Sequence, residues 1–449
     1  MIAKAVVPDY SGGVYNEYEY EEYVFVSGYP VKFTGTYTAT ERGQKDKMTH
    51  TYRFNLESHV GKLTRNVTYE TFLVNREDKG QTTMQTEVKS YNEKIDILEE
   101  TYTLQDYQLS HATVADNRPA ADFLSGNLVG RKVYSLKSNK NEKVTLSFSG
   151  RNVGYKNFWG ATETQFVDFE YESSQGHGTI RSRVSDSKQK TLQYEKHNPS
   201  LSSFTGGHVS VNTRNMISQY DYSLPVDKGT LRLGAEMVPE VERYIVPKFR
   251  DLHGHWAKDN IEQLYSLGIL EESSSFFSPT VPITRFEFTR AVMRAADIRV
   301  LEDDIRKRKT QAKTSIFSDL SVRDPDYKYI ESAVQKGIIS GVSANQFKPN
   351  DRLTRAQAIT ILVRALGFEE RAPAPGYRLS YQDSHQIPYW AKDSIYVAAE
   401  IGLVSGDKNN RINPNQLMTR AEASAMLVRF LNFLEKDLQK EYRDGEMNR

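Results

Sequence analysis

The pattern of hydrophobic and polar positions divides the chain near residue 245. Before this point apolar and polar residues alternate, as in Val31–Thr40, Lys143–Ser149 and Thr164–Ser173. A period of two is typical of strands that have one buried and one solvated face. We count about a dozen such segments and no helical period among them. Strands that follow one another without helices predict antiparallel sheets, arranged as a sandwich or as an open barrel.

The alternating part contains a weak internal similarity. Phe25–Tyr37 resembles Phe123–Tyr134, and each segment carries a Ser-Gly turn. One interpretation is two tandem β subdomains with a split near residue 118, and the other is a chance likeness between short strands after a turn. Both stay open, and we assign residues 1–245 to one β-rich surface or assembly region.

After residue 245 the pattern becomes helical and repeats three times. Landmark residues recur in each copy at nearly constant spacing: Gly268, Gly337, Gly402, Arg285, Arg355 and Arg420. A fixed repeat length indicates supersecondary modules that stack on one another. Each copy predicts a helix, a loop and a second helix, with the glycine ending the first helix. We place the three modules and a charged tail at 246–300, 315–369, 379–434 and 435–449.

The second helix of every module begins with the same type of sequence. The three starts are Thr284–Glu287, Thr354–Gln357 and Thr419–Glu422. Thr followed three residues later by Glu or Gln predicts a capping box, which accounts for both residues. It does not account for the Arg between them, because a cation at the positive end of the helix dipole costs about 0.3–1 kcal/mol.

These arginines predict an anion site. A helix N-terminus with unpaired N–H groups attracts anions, and a guanidinium adds a two-pronged donor that suits a carboxylate or a phosphate. The alternative is that each Arg pairs with an acidic residue across a module interface, and we give it less weight. The arginines and the acidic candidates are Arg285, Arg355, Arg420, Asp251, Asp319 and Asp383.

Two tryptophans stand at the start of first helices. Trp256 opens the one in module one and Trp390 the one in module three, whereas module two has Pro325 at this position. A tryptophan here is either a core anchor or a platform on which a sugar ring stacks. If the tryptophans line a pocket, module two contributes less to it.

The three units resemble S-layer homology modules over about 190 residues, from Phe249 to about Phe433. The resemblance rests on the F-x-D start, the H-W-A opening, the Gly-Ile helix end and the I-T-R-A-E helix start. It implies an all-α pseudo-trimer with three grooves between modules. It also implies a non-covalent anchor on the bacterial cell wall, whose ligand is a secondary wall polysaccharide carrying pyruvate ketals. These ketals are carboxylates, which agrees with the anion site.

The resemblance also implies which residues bind the polymer and where this chain departs from the family. The expected polymer-binding residues are Arg285, Arg355, Arg420, Trp256, Trp390, Asp251, Asp319, Asp383, Gly341 and Gly406. Module one has Glu272 where the other two have Gly341 and Gly406, and Phe286 where a small residue is usual. Module two has Gln357 in place of Glu. We therefore expect unequal grooves, with module one the weakest.

Composition excludes several classes of function. The 449 residues include 59 Lys+Arg and 58 Asp+Glu, so a net charge of +1 argues against an electrostatic nucleic-acid binder. The absence of Cys excludes disulfides and Cys-ligated metals, and the histidines lack metal spacing, so we expect neither metal nor cofactor. No long apolar run predicts a transmembrane helix. Met1–Ala5 is too short for a signal peptide, so we expect the export signal to lie upstream.

The β half offers no strong catalytic pattern. Asp168, Glu170 and Glu172 share one strand face, and paired carboxylates can hydrolyse glycosides, but this spacing is more typical of a solvated face. We predict a non-enzymatic surface or S-layer-type protein, extracellular and wall-anchored, that assembles with itself or with other surface proteins. The alternative is a wall-anchored carbohydrate-active enzyme or carbohydrate-binding protein whose active part is the β half.

Overall fold

The computed structural model describes residues 2–9, 15–44, 46–76, 80–195, 207–244, 246, 248–271, 274–296, 315–373 and 377–437. Its first part is all-β, as the alternating pattern predicts. Fourteen antiparallel strands form one sheet in the described part of the chain. They are β1 (Ile2–Asp9), β2 (Tyr15–Val24), β3 (Val31–Gln44), β4 (Lys47–Ser58), β5 (Gly61–Arg76), β6 (Gln81–Ile97), β7 (Glu100–Asn117), β8 (Asp122–Leu136), β9 (Lys143–Asn157), β10 (Gly160–Ser173), β11 (Gly176–Glu195), β12 (Gly207–Ser223), β13 (Lys228–Glu236) and β14 (Glu240–Arg243).

The sheet is a meander that curls back on itself. Strands β1 to β13 are neighbours in chain order, and β14 pairs with β12 beside β13. Because β1 also comes close to β12 and β13, the sheet nearly closes and is barrel-like. The antiparallel all-β prediction is confirmed, and of its two arrangements the open barrel describes this sheet, whereas the sandwich is wrong. Its interior is packed by aromatic and aliphatic side chains such as Phe33, Leu56 and Leu63.

The sheet continues without a break through residue 118. Strands β7 and β8 pair from Tyr102 with Leu136 to Asn117 with Asp122. The short turn between them keeps the two strands side by side, so the structure does not divide the β region into two sheets there. The similarity between Phe25–Tyr37 and Phe123–Tyr134 is one of sequence within a single sheet.

The second part of the chain is helical. Each of the three units contributes two helices, as the sequence predicts. They are α1 (Lys258–Ser266), α2 (Arg285–Ala295), α3 (Tyr327–Gln335), α4 (Arg355–Leu366), α5 (Lys392–Glu400) and α6 (Arg420–Asn432). Short helical turns lie at Arg250–Leu252, Glu369–Arg371, Ser384–Gln386, Tyr389–Ala391 and Phe433–Asp437. No helix within the described ranges is long and apolar enough to cross a membrane.

A glycine terminates the first helix of every unit. Gly268, Gly337 and Gly402 have φ angles of 69°, 69° and 70°. This left-handed conformation is strained for residues with a Cβ atom, whereas glycine adopts it readily. The chain then turns so that the next apolar residues, such as Ile269 and Ile338, enter the core.

The segments before the three second helices are joined in a ring of backbone hydrogen bonds. Ile283 donates its N–H to the carbonyl of Met418 (2.9 Å), and Met418 donates to Leu353 (2.9 Å). Leu353 donates to Ile283 (3.2 Å), which closes the ring. Each unit therefore contacts both of the others at the point where its second helix begins.

The helical core extends into the β region. Ala120, Ala121 and Trp159, which lie in turns of the sheet, belong to the same buried cluster as the helices. The Asn157 side-chain amide also donates to the carbonyl of Leu434 (2.7 Å). The sheet keeps a core of its own, separate from this cluster, and it is the hairpin tips of the sheet that pack against the helices.

Candidate functional site

A capping box is formed at the start of the second helix of each module, where the sequence predicts an anion site. The Thr284 hydroxyl accepts a hydrogen bond from the N–H of Glu287, and the Glu287 carboxylate accepts one from the Thr284 N–H. Thr354 with Gln357, and Thr419 with Glu422, make the same reciprocal pair. The boxes fix where α2, α4 and α6 begin, and so they set an arginine at the first position of each helix.

The backbone N–H groups at these helix starts are already bonded. Arg285 donates its N–H to the carbonyl of Asp351 (2.8 Å), and Phe286 donates to Pro349 (3.0 Å). The starts of α4 and α6 are bonded in the same way to the loops of modules three and one. The expectation of unpaired N–H groups is therefore wrong, because the loop of the neighbouring module fills the helix end. These N–H groups are therefore not open to an anion.

The three aspartates hold those loops and do not pair with the arginines. Both carboxylate oxygens of Asp319 accept backbone N–H bonds, from Phe347 (2.9 Å) and Lys348 (2.7 Å). Burial alone would raise the pKa of Asp319, but these two N–H groups outweigh it and lower the pKa. Asp251 and Asp383 make the same pair of bonds in their own modules. The alternative of Arg–Asp pairing is thus not what the structure contains.

The aspartates stabilise a strained residue in each loop. Ser278, Lys348 and Asn413 have φ angles of 58°, 56° and 53°, in the left-handed region. Non-glycine residues pay for this conformation, and the carboxylate bond to their N–H offsets the cost. The residue that follows each of them is the proline whose carbonyl accepts an N–H of the neighbouring helix. The aspartates therefore act on the starts of the neighbouring helices through the loops.

The two glycines expected at the polymer site lie where the backbone is crowded. A Cβ atom at Gly341 would lie 2.5 Å from the carbonyl oxygen of Ser343, and one at Gly406 would lie 2.8 Å from Oδ1 of Asn410. Because glycine has no Cβ atom, it allows the loop backbone to pack this closely at both positions. Glu272, the residue in this place in module one, lies outside the described residues.

Arg285 is turned into the protein. It is 8% exposed, and its Nη2 donates to the carbonyl of Ser340 in module two. Its guanidinium lies 5.0 Å from the ring centroid of Phe347. Burial lowers the pKa of Arg285, and the charge of Asp351 opposes this effect. This arginine is bound by the protein itself.

Arg420 is engaged in an ion pair. Its Nη1 lies 2.7 Å from Oε1 of Glu287, the capping residue of module one. Its guanidinium also lies 4.5 Å from the ring centroid of Phe277. An added anion would compete with a carboxylate that is already in place.

Arg355 differs from both. It is partly buried, and within the described ranges its side chain has neither a hydrogen-bond partner nor an ion-pair partner. The neighbouring loop carries Ile412 where the other two loops carry Phe347 and Phe277, and among the described residues no aromatic ring lies over the Arg355 guanidinium as one does at Arg285 and Arg420. Burial lowers the pKa of Arg355, while the charge of Glu422 acts in the opposite direction. This is a partly dehydrated cation that still needs an acceptor.

The two tryptophans are exposed. Trp256 is 64% and Trp390 50% exposed, whereas the alanines that follow them, Ala257 and Ala391, are fully buried. The core-anchor interpretation therefore fails, and the alanines fill that role. Tyr389, which the sequence analysis missed, is 90% exposed beside Trp390. Its position in a Tyr-Trp pair at a helix start was the available signal.

Comparison with known proteins identifies the helical units. Residues 248–289, 316–359 and 380–424 match the family model described as the S-layer homology domain, and no family model matches the N-terminal region. The C-terminal part of the chain therefore carries three S-layer homology domains, as the resemblance suggested.

Several curated proteins are similar to parts of the chain. Exoglucanase XynX of Acetivibrio thermocellus is 33% identical over 189 residues, 41% of this chain and 16% of that protein. An amylopullulanase of Thermoanaerobacterium thermosulfurigenes is 27% identical over 327 residues, 69% of this chain and 15% of its own length. The surface-layer 125 kDa protein of Lysinibacillus sphaericus is 27% identical over 201 residues, 44% of this chain and 16% of its own. The chain thus spans less than a fifth of each of these relatives.

Proposed function

We propose that the protein is held non-covalently on a bacterial cell wall by its three S-layer homology domains. The domain match and the surface-layer relative support a cell-wall-anchored surface protein. In this proposal the ligand is a secondary wall polysaccharide, and its pyruvate-ketal carboxylates bind the arginines at the starts of the second helices. The location is extracellular, at the wall or surface layer.

The observation that carries the proposal is the state of Arg355. A guanidinium that has lost part of its hydration and has no internal acceptor gains more from a carboxylate than a fully hydrated one does. Its planar fork can donate two parallel hydrogen bonds to a ketal carboxylate. The nearby charge of Glu422 opposes the effect of burial on the pKa of Arg355, and among the described residues the two groups form no ion pair.

The three grooves are unequal in this proposal. The Arg355 groove binds most strongly, and the Arg420 groove is weaker because Glu287 competes with the ligand. The Arg285 groove is the weakest, because its arginine is bonded to Ser340. Module one was expected to be weak because of Glu272 and Phe286, and the inward turn of Arg285 now supplies a structural reason.

The other predicted residues take supporting roles. Asp251, Asp319 and Asp383 hold the loops, and Gly341 and Gly406 allow the loops to close. Trp256 and Trp390 supply exposed indole faces on which sugar rings stack. The ring of hydrogen bonds among Ile283, Leu353 and Met418 supports a pseudo-trimer of the three domains, with one groove between each pair.

The β region is a display or assembly part that the anchor carries, with the protein itself or other surface proteins as partners. A second candidate is a carbohydrate-active β region. The observation that favours it is the amylopullulanase match, which is longer than the whole helical part and so includes part of the β region. A hydrolysis screen of the full chain against wall and plant glycans tests it, and release of reducing sugar would establish the second candidate.

Sedimentation with purified cell-wall fragments tests the anchor. The full chain should sediment with walls that retain their secondary polysaccharide and stay in solution with walls stripped of it. Arg355→Ala should reduce the bound fraction strongly. Arg352→Ala removes the same charge at an exposed position three residues away and should not. Equal binding to both wall preparations would refute the proposal.

A further inference from the structure

A cleft of about 430 Å³ lies in the β region, beside the hairpin tip that packs against the helices. Its walls are the β9–β10 turn, the middle of β11 and β12, and the link from β13 to β14. Trp159 in this wall is buried in the core of the helices, and Asn157 bonds to Leu434. Ligand pockets in proteins usually enclose about 300–1,000 Å³, and the cleft falls in this range.

The cleft carries an excess of positive charge. Its lining has one acidic residue, Glu240, against the basic residues Lys156, Lys188, Lys190 and Arg214. Lys188 and Arg214 lie directly opposite each other in the β11–β12 pairing. Like charges in this position repel, so the arrangement costs stability unless an anion lies between them.

Internal acceptors neutralise only part of this charge. Arg214 donates two hydrogen bonds to Asp186, at 3.0 and 2.7 Å. Lys156 and Lys188 are exposed, and in the described part of the chain neither has an ion-pair partner. Two ammonium groups therefore remain available at the rim for a ligand that carries negative charge.

The rest of the lining is apolar with amide groups between. Met237 is 44% and Val238 89% exposed, and the ring of Phe158 lies 4.4 Å from Nζ of Lys190. Gln189 and Asn212 add amide donors and acceptors. A sugar ring presents apolar C–H faces and polar edges, so this mixture fits a saccharide better than it fits a bare ion.

We propose that this cleft is a second saccharide site, which binds a short stretch of acidic sugar chain. The carboxylates of the ligand face Lys156 and Lys188, and its ring faces lie on Met237, Val238 and Phe158. The site is separate from the arginines of the helical domains. It depends on the proposed anchoring only in that a protein held on a wall is close to such polymers.

Calorimetric titration of the full chain with hexagalacturonate, an acidic sugar hexamer, tests the site. The protein carries Arg355→Ala throughout, which removes the strongest of the proposed helical grooves, and the two weaker grooves are the same in the variant and in the control. Lys156→Ala with Lys188→Ala should weaken binding about tenfold, which corresponds to ~1.4 kcal/mol. The matched control is Lys140→Ala with Lys143→Ala, two exposed lysines at the opposite end of β9, and it should leave affinity unchanged.

Three further titrations test which chemical features of the ligand the cleft recognises. Affinity should fall as salt is raised, since the contacts are ionic. Maltohexaose, a neutral hexamer, and hexaglutamate, a charged chain without sugar rings, should both bind much more weakly. Absence of hexagalacturonate binding, equal losses in the two double variants, or equal affinity for hexaglutamate would overturn the proposal. Failure of the wall-sedimentation test would leave this result unaffected, so the two proposals can fail separately.

Discussion

The first position of the second helix is an arginine in all three modules, namely Arg285, Arg355 and Arg420, but the surroundings of the three side chains differ. The difference comes from the neighbouring module. Arg285 contacts Ser340 and Phe347 there, and Arg420 contacts Glu287 and Phe277. For Arg355 the corresponding loop residue is Ile412. The capping boxes could be predicted from sequence because their residues are three positions apart. The state of each arginine could not, because its partners lie on another module.

The first prediction concerns stability at these arginines. Arg285→Ala should lower the free energy of unfolding by about 1–3 kcal/mol, because it leaves the Ser340 carbonyl without its donor. Arg355→Ala should change it by less than about 0.5 kcal/mol, since among the described residues it breaks no hydrogen bond or ion pair of the side chain. Urea unfolding of both variants measures the difference. Equal losses would show that Arg355 also has a structural role.

The second prediction concerns a buried charge network inside the sheet. The Glu93 side chain accepts hydrogen bonds from Arg65, Tyr134 and Tyr91 and lies 3.5 Å from Nζ of Lys132. Burial alone would raise the pKa of Glu93, but the charges of Arg65 and Lys132 and the hydrogen bonds lower it to about 2. The carboxylate is therefore held ionised, which suits a structural role better than that of a general acid.

Folding lowers the pKa of Glu93 below its unfolded value of about 4.5. The ionised carboxylate therefore contributes its full stabilisation of the folded state at any pH above that value. The contribution is lost as pH falls from there towards 2, and it amounts to about 3 kcal/mol. The Glu93→Gln variant should be less stable than the wild type at neutral pH. As pH falls through this range, its free energy of unfolding should decrease less than that of the wild type. Urea midpoints measured between pH 7 and the acid limit of folding test this. Parallel curves for the two proteins would contradict it.

At the scale of elements, each loop is hydrogen-bonded to an aspartate of its own module, and its carbonyls accept hydrogen bonds from the second helix of a neighbouring module. Asp319 fixes the loop of module two, and that loop then bonds the start of α2 in module one. The sequence predicted the helix starts and the helix ends, because these signals are local, but it gave the aspartates a different role. It did not predict that loop carbonyls fill the helix ends, because that depends on how modules meet.

The third prediction tests this arrangement. Asp319→Asn replaces one acceptor oxygen with an NH₂ group that faces another N–H donor. The free energy of unfolding should fall by about 1–2 kcal/mol. Asp351→Asn, at an exposed side chain 3.9 Å from Nζ of Lys348, should have little effect. Thermal melting compares the two, and equal shifts would contradict the role given to Asp319.

At the scale of the whole molecule, a hairpin tip of the sheet packs into the core of the helices. Trp159 is 2% exposed and lies among the buried residues of the helices. The sequence predicted the class of both halves and the boundary near residue 245 from their periods. It could not predict the closure of the sheet or this junction, since neither leaves a periodic signal.

The fourth prediction follows from the junction. Trp159→Ala should lower the free energy of unfolding by about 3–5 kcal/mol and should shift the melting of the helical part. Trp256→Ala removes the same side chain from a site that is 64% exposed and should cost less than about 0.5 kcal/mol. Scanning calorimetry separates the transitions. A helical transition that does not respond to Trp159→Ala would show that the junction carries little energy.

The measurement that bears most directly on the central claim is a calorimetric titration of the full chain with secondary wall polysaccharide, native and depyruvylated. The native polymer should bind, and removal of the ketals should abolish most of the affinity. Arg355→Ala should weaken native binding about tenfold or more, as the loss of a charge-assisted bond of roughly 1.5–3 kcal/mol requires. Arg352→Ala should not change it. Equal affinity for the two polymers, or an Arg355→Ala protein that binds as the wild type does, would contradict the account.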